Sequence, residues 1–268
     1  MKKILIICVN YNSYGALHVF LESIDCAAKE VTQSMEIHVA VADNSSDIQE
    51  IEESVYPDIH IEKYVTKQNL GYLGGARFTL NKISKTDYNG YDYVAISNVD
   101  VTLDPSFFAQ LETINLSNVG WIAPSIISHK ENKDRNPKIL TRPSKRHLQL
   151  AKLIYLTPLV YHLYVRLFYK NRPAPKIMGH EIYAGHGSFM LFSKQADIRT
   201  FIDQFEPFLF CEEHFFAEEL RKRSLTIEYH PELVVYDTDH VSTSTIPSYT
   251  YCKYNKEAIS FIIKKYFV

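Results

Sequence analysis

The stretch YVAISNVDV, residues 93–101, joins an apolar run to two polar side chains. Tyr93 to Ser97 has the length and β-branched content of a buried strand. Asn98 and Asp100 follow directly, although a hydrophobic core excludes such side chains unless they are paired. The stretch therefore predicts a buried strand that delivers Asn98 and Asp100 to one edge of a sheet.

The first half of the chain repeats this arrangement, because short apolar runs alternate with segments of helical period. Strands are predicted at residues 4–9, 36–42, 59–65, 93–97 and 120–127. Helices are predicted at residues 16–31, 48–55 and 72–83. Such alternation is typical of βαβ units. We therefore predict an α/β fold of the Rossmann-like type, with a mostly parallel sheet and flanking helices.

Polar residues follow each of the first four predicted strands. They form the segments Asn10-Tyr11-Asn12, Asp43-Asn44, Asn69-Leu70-Gly71 and Asn98-Val99-Asp100. In open α/β sheets, ligands bind beyond the carboxyl ends of the strands. A single polar strand end is usually turn chemistry, but four in succession indicate a binding site along this edge.

Length and composition limit the class of protein. The 268 residues are 46% hydrophobic and 22% charged, which is ordinary for a globular protein and enough for one elaborated domain. No apolar run approaches the roughly 18 to 20 residues of a membrane-spanning helix, and the start MKKILIICVNYN lacks a signal-peptide cleavage site. The four scattered cysteines predict neither disulfides nor a zinc site. We predict a cytoplasmic protein.

Charge is distributed unevenly along the chain, although the formal net charge is only -2. Residues 135–180 contain ten Lys and Arg residues and no Asp or Glu. Within them, residues 148–169 are dense in Leu and Tyr, and the interval between Lys152 and Arg166 is too short to span a bilayer. Such a segment suits peripheral contact with a membrane through residues 145–172. A helical hairpin packed on the domain or at a dimer interface is the alternative.

Several motifs follow one another in an order that resembles family-two inverting glycosyltransferases. They are VNYN at 9–12, ADNSSD at 42–47, NLGYLGGAR at 69–77, SNVD at 97–100, YAGHGSFMLF at 183–192, FLFCEEHFF at 208–216 and DTDH at 237–240. Their spacing is similar to that of the rhamnosyltransferase-like branch, which has a GT-A fold. The resemblance covers residue 3 to about residue 245. It implies transfer of a sugar from a nucleotide-diphosphate donor, with inversion at the anomeric carbon.

The resemblance also implies roles for residues of these motifs. The donor would be a UDP- or dTDP-sugar, in contact with Asn12, Asp43, Asn69, Gly71, Gly74, Gly75, Arg77 and Asn98. Asp100 would bind Mg²⁺ or Mn²⁺, with His240 as a second ligand, because a hard cation held by carboxylates neutralises the departing diphosphate. Glu213 would be the base that takes the acceptor proton, with Glu212 as the alternative.

The polar strand ends also have a structural interpretation. Asn98 and Asp100 would cap a turn after the strand if they bind no ligand. Asp43 would in that case cap the helix predicted at residues 48–55, and an exposed helix position would explain Arg77.

The acidic pair and the late histidine have alternatives of the same kind. Glu212 and Glu213 would complement the dipole of a helix that starts there, and His240 would serve as a neutral hydrogen-bonding side chain. The chain also departs from the family pattern, with Phe78-Thr79-Leu80 where relatives often have Asn and Gly, and with Glu213 where they have Asp. These departures weaken the assignment of individual contacts.

We predict a single GT-A-like domain over residues 1–268. Its nucleotide-sugar half covers 1–127, a basic and aromatic helical insert 128–180, the acceptor and catalytic half 181–245, and a C-terminal helix 246–268. The predicted function is sugar transfer, with rhamnose first, to a glycan or lipid-linked acceptor in bacterial surface polysaccharide synthesis, with no nucleic-acid partner. Two other functions share the nucleotide site, namely a nucleotidyltransferase and a non-catalytic nucleotide-sugar-binding protein of the same fold.

Overall fold

The computed structural model describes most of the chain. The described residues are 1–31, 33–128, 130, 133–168, 180–238 and 246–267. Within them, eight α-helices and nine β-strands form an α/β arrangement, which confirms the predicted fold class. None of the helices in these ranges is both long and apolar enough to cross a membrane.

The first half of the chain supplies five strands and four helices. The strands are β1 (Lys2–Asn10), β2 (Met35–Asp43), β3 (His60–Val65), β4 (Tyr93–Asn98) and β5 (Val101–Leu103). The helices are α1 (Tyr14–Ala28), α2 (Tyr72–Lys82), α3 (Lys85–Asn89) and α4 (Phe107–Thr113). The four strands predicted before residue 100 are therefore present, each within two residues of its predicted bounds.

The second half supplies the remaining elements. The strands are β6 (Val119–Ser128), β7 (Lys133–Asp134), β8 (Phe189–Ser193) and β9 (Thr226–Asp237). The helices are α5 (Lys145–Ile154), α6 (Pro158–Phe168), α7 (Glu212–Lys222) and α8 (Ser248–Tyr266). The predicted helical insert thus contains α5 and α6, and the predicted C-terminal helix is α8.

The nine described strands form one sheet, in the order β3-β2-β1-β4-β8-β6-β9-β5, with β7 paired to β6. Strands β3, β2, β1 and β4 run parallel, so their carboxyl ends lie at one edge. Strand β8 pairs antiparallel with β4, and Phe189 at the start of β8 lies opposite Ser97 near the end of β4. This pairing brings the Gly-rich segment before β8 to the carboxyl end of β4.

The core lies on both faces of the sheet, because successive side chains of a strand point to opposite faces. In β1, Leu5 and Ile7 belong to one buried cluster, to which α2, α7 and α8 contribute. Ile4 and Ile6 belong to the other cluster, to which α1 and α4 contribute. Burial on both faces explains why these strands read as continuous apolar runs in the sequence.

The prediction of a helix at residues 48–55 is wrong. The structure has a single 3₁₀ turn there, at Glu53–Val55. Side chains of other elements take both backbone groups of Gln49, since Gln49 N donates to the Tyr14 hydroxyl at 3.0 Å and Lys63 Nζ donates to Gln49 O at 2.7 Å. These bonds tie the segment to α1 and β3, and the bond to Gln49 O takes an acceptor that a helix would use.

Helices α5 and α6 form a hairpin that packs on α8. Leu148 of α5 is buried. The rings of Tyr155 and Tyr161 stack 5.7 Å apart, and they lie 6.2 and 5.2 Å from the ring of Tyr251 on α8. No residue of α6 is fully buried. The hairpin is therefore held to the domain along one side.

Candidate functional site

Four strands end at the same edge of the sheet, which places the polar segments next to each other. Asn10 pairs with Asp43, Asp43 pairs with Val65, and Val9 pairs with Asn98. The ends of the four strands are thus level to within about one residue, and the segments that follow them lie side by side, as the strand pattern predicts.

Asp43 organises this edge through a fully buried carboxylate. Asn10 Nδ2 and Ser45 N donate to Asp43 Oδ1, each at 3.2 Å, and the Tyr14 hydroxyl donates to Asp43 Oδ2. Both carboxylate oxygens therefore have partners within the protein, and Asp43 connects the ends of β1 and β2 to the start of α1. A direct contact between Asp43 and a donor base stays a prediction.

Asn12 lies exposed beside this network, with a φ of 52° that asparagine tolerates better than most residues. Asn12 N donates to Ser45 Oγ at 2.8 Å. Asn12 Oδ1 accepts from Ser46 N at 3.0 Å. The loop after β1 and the loop after β2 thus form one continuous surface at the edge of the sheet.

The glycine segment before α2 is fixed between two other parts of the site. Gly71 has a φ of 76° and a ψ of -174°, a conformation open essentially to glycine alone. A Cβ on Gly71 would lie 2.2 Å from Phe208 O, and Asn44 Nδ2 donates to Gly71 O at 3.0 Å. Gly71 therefore connects the end of β2 to the loop at residues 208–211, which precedes α7.

We expect Gly71→Ala to lower the free energy of unfolding by about 3 kcal/mol or more, because it adds backbone strain and a clash with Phe208 O. For a chain of this size that corresponds to a fall in Tm of roughly 6 to 12 °C. Gly15→Ala is the control, since nothing lies within 4 Å of its added Cβ, and its Tm should be unchanged or slightly higher. Equal Tm values for the two variants would contradict the assigned contact.

The neighbours of Gly71 shape the same turn. Asn69 Oδ1 accepts from Gly71 N at 2.9 Å. Gly75 is buried, and a Cβ there would lie 3.0 Å from Asn44 Nδ2. Gly74 is partly exposed on the first turn of α2. Gly75 thus permits close packing of α2 on the end of β2, and Gly74 is the more accessible of the two glycines to a ligand.

Arg77 lies on α2 and contacts a different part of the chain. Its Nη1 donates to Phe205 O at 3.3 Å, and its Nε lies 3.9 Å from Asp203 Oδ1. The Arg77 side chain is partly exposed, so this ion pair contributes little to stability. The structure joins Arg77 to residues 203–205, and a contact between Arg77 and a phosphate stays a prediction.

Asn98 and Asp100 form the turn between β4 and β5. Asn98 N donates to Ser188 O at 2.9 Å. Asp100 O accepts from Thr238 N at 3.1 Å and from Thr238 Oγ1 at 2.9 Å. The turn thus connects the Gly-rich segment before β8 with the end of β9. His240 lies outside the described residues, two positions beyond Thr238, and its role as a metal ligand stays a prediction.

The acidic pair stands at the start of α7, after two residues with positive φ. Phe210 and Cys211 have φ values of 75° and 66°, and residues held in this region concentrate at functional sites. Glu212 Oε1 accepts from Phe210 N at 2.8 Å, which fixes the loop. A Cβ on Gly187 would lie 3.0 Å from Glu213 Oε1. The glycine therefore leaves room beside the Glu213 carboxylate.

Tyr72 links the acidic pair to Asp100. The Tyr72 hydroxyl donates to Gly187 O at 2.8 Å, next to Glu213. The pKa of Tyr72 is raised well above its usual value, first by burial and then by the negative charges of Glu212, Glu213 and Asp100. Asn98 N donates to Ser188 O, next to Gly187, so the predicted base Glu213 and the turn that holds Asp100 lie in one region. The sequence reasoning missed Tyr72, although the aromatic residue inside NLGYLGG is a visible signal.

Burial distinguishes the two acidic residues. The Glu212 carboxyl is buried, and burial together with the nearby charge of Glu213 raises the pKa of Glu212 from 4.5 to about 8. Glu212 is therefore mostly protonated at neutral pH. Glu213 is partly exposed, so Glu213 is the better placed of the two to take a proton from an acceptor hydroxyl.

The raised pKa of Glu212 makes stability depend on pH. The folded protein holds this proton more tightly than the unfolded chain, so the contribution is present below about pH 4.5 and is lost as the pH rises through about 8. We expect Glu212→Gln, which mimics the protonated acid, to match the wild-type Tm at the acid end and to exceed it above about pH 8. Each kcal/mol gained corresponds to roughly 2 to 4 °C. Thermal melts across this range check the sign, and a difference that does not grow with pH would contradict it.

A lysine and a neutral histidine also lie near the acidic pair. Burial, with smaller effects from Lys138 and Arg135, lowers the pKa of His186 well below its usual value, so His186 is neutral near pH 7. His186 Nδ1 accepts from Ser188 N at 3.2 Å. The positive charge of Lys138 also lowers the pKa of Glu212, although by less than burial raises it. Sequence reasoning gave no role to Lys138 or His186, because a single residue of either type carries no positional signal.

One group of histidine and acidic residues in the described part of the chain has the spacing of a metal site. Glu36, His38 and His60 place ligand atoms within 4.8 Å of one another. The ligand atoms of Glu36 and His38 already have protein partners. His38 Nε2 contacts Glu36 Oε1, the Tyr91 hydroxyl lies 3.0 Å from His38 Nδ1, and Lys3 Nζ lies 2.7 Å from Glu36 Oε2. The group also lies near the amino end of β2, opposite the edge where the polar segments meet. It does not fit the role of the donor metal site.

A cavity of about 360 Å³ opens beside the Asp100 turn. Its lining includes Ser13 and Gly15 at the start of α1, Val99 in the turn, and Thr238 after β9. This volume is at the lower end of the range for small-molecule sites. The cavity has room for part of a ligand next to the predicted metal-binding residue.

Neither a protein-family model nor a curated protein matches this sequence. Solved structures do match its fold. Residues 1–349 of TarS from S. aureus give a TM-score of 0.56 at 13% identity, over 89% of this chain and 60% of that one. GalNAc-T7 with UDP, GalNAc and Mn²⁺ gives 0.56 at 11% identity, over 91% and 45%. This chain has the GT-A fold.

Two further GT-A structures carry nucleotide sugars. TarS 1–349 in complex with UDP-GlcNAc gives a TM-score of 0.54 at 10% identity, over 100% of this chain and 68% of that one. The mannosyltransferase PcManGT from Pyrobaculum calidifontis, with GDP-Man and Mn²⁺, gives 0.50 at 11% identity, over 90% and 58%. This chain thus spans about half to two thirds of the GT-A proteins that it matches. The architecture predicted from the order of the motifs is confirmed.

Proposed function

We propose that this chain is an inverting glycosyltransferase that takes a sugar from a nucleotide-diphosphate donor. The observation that supports this most strongly is that residues 187 and 188 contact both Glu213 and the turn of Asp100, at the carboxyl edge of a GT-A sheet. A Cβ on Gly187 would lie 3.0 Å from Glu213 Oε1, and Asn98 N donates to Ser188 O at 2.9 Å. An inverting transfer needs a base and a group that neutralises the leaving diphosphate. Glu213 and Asp100 supply these two functions from neighbouring elements.

Glu213 takes the proton of the acceptor hydroxyl while the hydroxyl oxygen forms a bond to the anomeric carbon. The bond between that carbon and the donor phosphate oxygen breaks on the opposite face. The configuration therefore inverts, and a nucleoside diphosphate leaves. Glu212 remains protonated near neutral pH and holds the loop through Phe210 N, so it does not compete for the proton.

Asp100, with His240 as a second ligand, is the proposed site for Mg²⁺ or Mn²⁺. The Asp100 side chain is partly exposed in its turn and offers carboxylate oxygens, the ligand type that both ions prefer. A divalent ion bound there supplies neutralisation of the charge that develops on the leaving diphosphate. The PcManGT structure contains Mn²⁺, which supports the choice of ion class for this fold.

The proposed donor is a UDP- or dTDP-sugar, with rhamnose as the first choice from the resemblance of the motif order. Its contacts are proposed at Asn12, Asp43, Asn69, Gly71, Gly74, Gly75, Arg77 and Asn98. A carboxylate opposite a base N–H gives a charge-assisted hydrogen bond that selects pyrimidines. Because the Tyr14 hydroxyl donates to Asp43 in this structure, such a contact requires Tyr14 to move aside.

The proposed acceptor is a glycan or a lipid-linked sugar in the synthesis of a bacterial surface polysaccharide, within the cytoplasm. The space that Gly187 leaves beside Glu213 supports an acceptor hydroxyl at this position. The aromatic residues between α8 and the loop at 208–211 support an amphipathic acceptor, since the ring of Phe210 lies 5.0 Å from that of Tyr251.

The test is to incubate the protein with UDP-, dTDP- and GDP-sugars and Mn²⁺, and to identify the products by mass spectrometry. Slow transfer to water reports activity even without the natural acceptor. The proposal expects release of a nucleoside diphosphate that depends on the metal. Conversion of the nucleotide sugar to a nucleoside triphosphate and a sugar 1-phosphate, once pyrophosphate is added, would indicate a nucleotidyltransferase. Binding without any product would indicate a non-catalytic nucleotide-sugar-binding protein. Either outcome overturns the proposal.

A further inference from the structure

The outer side of the α5–α6 hairpin is apolar and exposed. Eight of the fifteen exposed large apolar residues in the described part of the chain fall within residues 150–168. They are Leu150, Leu153, Leu156, Leu159, Val160, Leu163, Leu167 and Phe168, which we call the hairpin surface. Single exposed apolar residues are ordinary, whereas a concentration of this kind marks an interaction surface.

Part of the hairpin surface is a stripe of leucines that runs along α6. Leu159, Leu163 and Leu167 recur every four residues and therefore form one stripe along α6. The exposed fractions of these three side chains are 78%, 54% and 54%. An isolated helix as short as α6 is marginal in water, and the stripe is less than half covered by the domain. A partner that covers the stripe would stabilise α6.

The charge around the stripe identifies the kind of partner. Residues 135–180 carry ten Lys and Arg residues and no Asp or Glu. Lys145, Arg146 and Arg166 are exposed on the two helices. Lys253, Lys256 and Glu257 line a groove of about 360 Å³ between the hairpin turn and α8, so basic residues outnumber acidic ones there too. Exposed Leu residues flanked by Lys, Arg and Tyr are the composition of helices that lie in the headgroup layer of anionic membranes.

We propose that the hairpin surface docks on the anionic face of a lipid bilayer. A second copy of this chain fits less well, because a two-fold interface would place two basic surfaces against each other. Docking brings the catalytic loop close to the bilayer, since the ring of Tyr251 lies 5.2 Å from that of Tyr161 on α6 and 5.0 Å from that of Phe210. Docking would therefore deliver a lipid-linked acceptor to Glu213. This last step rests on the proposed function.

The test is sedimentation of the full chain with vesicles of phosphatidylcholine, alone or mixed with phosphatidylglycerol. We expect binding to the anionic vesicles that weakens with salt. Leu163→Glu should reduce this binding by on the order of tenfold or more. Val55→Glu is the matched control, because Val55 is 58% exposed and Leu163 is 54% exposed, and it should bind as the wild type does. Arg166→Gln should weaken binding to the anionic vesicles about fivefold, and Lys85→Gln should not.

Two results would overturn the docking proposal. One is a folded wild-type protein that binds neither kind of vesicle. The other is a concentration-dependent dimer that Leu163→Glu dissociates, without any binding to vesicles, which would assign the hairpin surface to a second copy. Two measurements separate this proposal from the proposed transferase function. Nucleotide titration of Leu163→Glu tests the donor site when the hairpin surface is altered. Vesicle binding of Asp100→Ala tests the hairpin surface when the donor site is altered.

Discussion

Glu213→Gln is expected to reduce kcat by on the order of 10³-fold, because removal of a general base costs about 10² to 10⁴ in rate. The amide keeps the shape of the side chain but cannot take the acceptor proton. Affinity for the nucleotide should be unchanged, since the proposed donor contacts lie on other elements. Steady-state release of nucleoside diphosphate measures the loss, and calorimetric titration of the nucleotide checks that binding survives.

Glu212→Gln is the matched control for this experiment. Burial and the charge of Glu213 raise the pKa of Glu212 to about 8, so glutamine resembles the form that Glu212 already has near neutral pH. We expect this variant to lose no more than about tenfold in kcat, well short of the loss of a general base. A larger loss in Glu212→Gln than in Glu213→Gln would reverse the assignment of the two residues.

Asp100→Ala is expected to abolish metal-dependent turnover, with kcat/KM lower by on the order of 10³-fold. Without this carboxylate, the charge of the leaving diphosphate is no longer neutralised. The measurement is product release at rising concentrations of Mn²⁺ and of Mg²⁺, which also ranks the two ions.

Asp104→Ala is the control for Asp100, because Asp104 is the next carboxylate along the chain. Its oxygens accept from Ser106 Oγ at 2.7 Å and from the Tyr236 hydroxyl at 3.0 Å, which gives it a structural task. Asp104→Ala should keep its response to the metal. An Asp100→Ala variant that retains full metal-dependent activity would exclude Asp100 as the metal ligand.

The edge of the sheet was predictable from the sequence because it follows from local rules. Apolar runs of strand length end at Asn10, Asp43 and Asn98, and the carboxyl ends of parallel strands meet at one edge. The register of β1 with β2 and β4 then sets these residues level. The α/β class and the four parallel strands follow from the same pattern.

The wrong prediction of a helix at residues 48–55 shows that tertiary contacts can override local sequence preference. The sequence of this segment has helical period, but the Tyr14 hydroxyl and Lys63 Nζ take the backbone groups of Gln49. Partners so distant in the chain have no signature in an eight-residue window, so tertiary hydrogen bonds override the local preference.

The different burial of Glu212 and Glu213 could not be predicted from the sequence either. Both residues have the same side chain, and the difference is burial, which depends on how α7 packs against the sheet. Tyr72 joins Asp100 to this pair only because β8 brings Gly187 to the end of β4. The antiparallel pairing that creates this contact is not visible in the alternation of strands and helices.

The α5–α6 hairpin was predicted only in part. Composition predicted helices and a basic, aromatic surface in residues 145–172. Which side packs on α8 depends on the contacts of Tyr155 and Tyr161 with Tyr251. Only the three-dimensional arrangement shows that the leucine stripe of α6 faces outward.

The most direct measurement is calorimetric titration of the wild-type protein with UDP, dTDP and GDP, in the presence and absence of Mn²⁺. The proposed donor site predicts that at least one pyrimidine diphosphate binds, that the binding depends on the metal, and that GDP binds more weakly. Folded protein that binds none of the three nucleotides, with or without Mn²⁺, would contradict the assignment of a nucleotide-sugar site to this edge of the sheet.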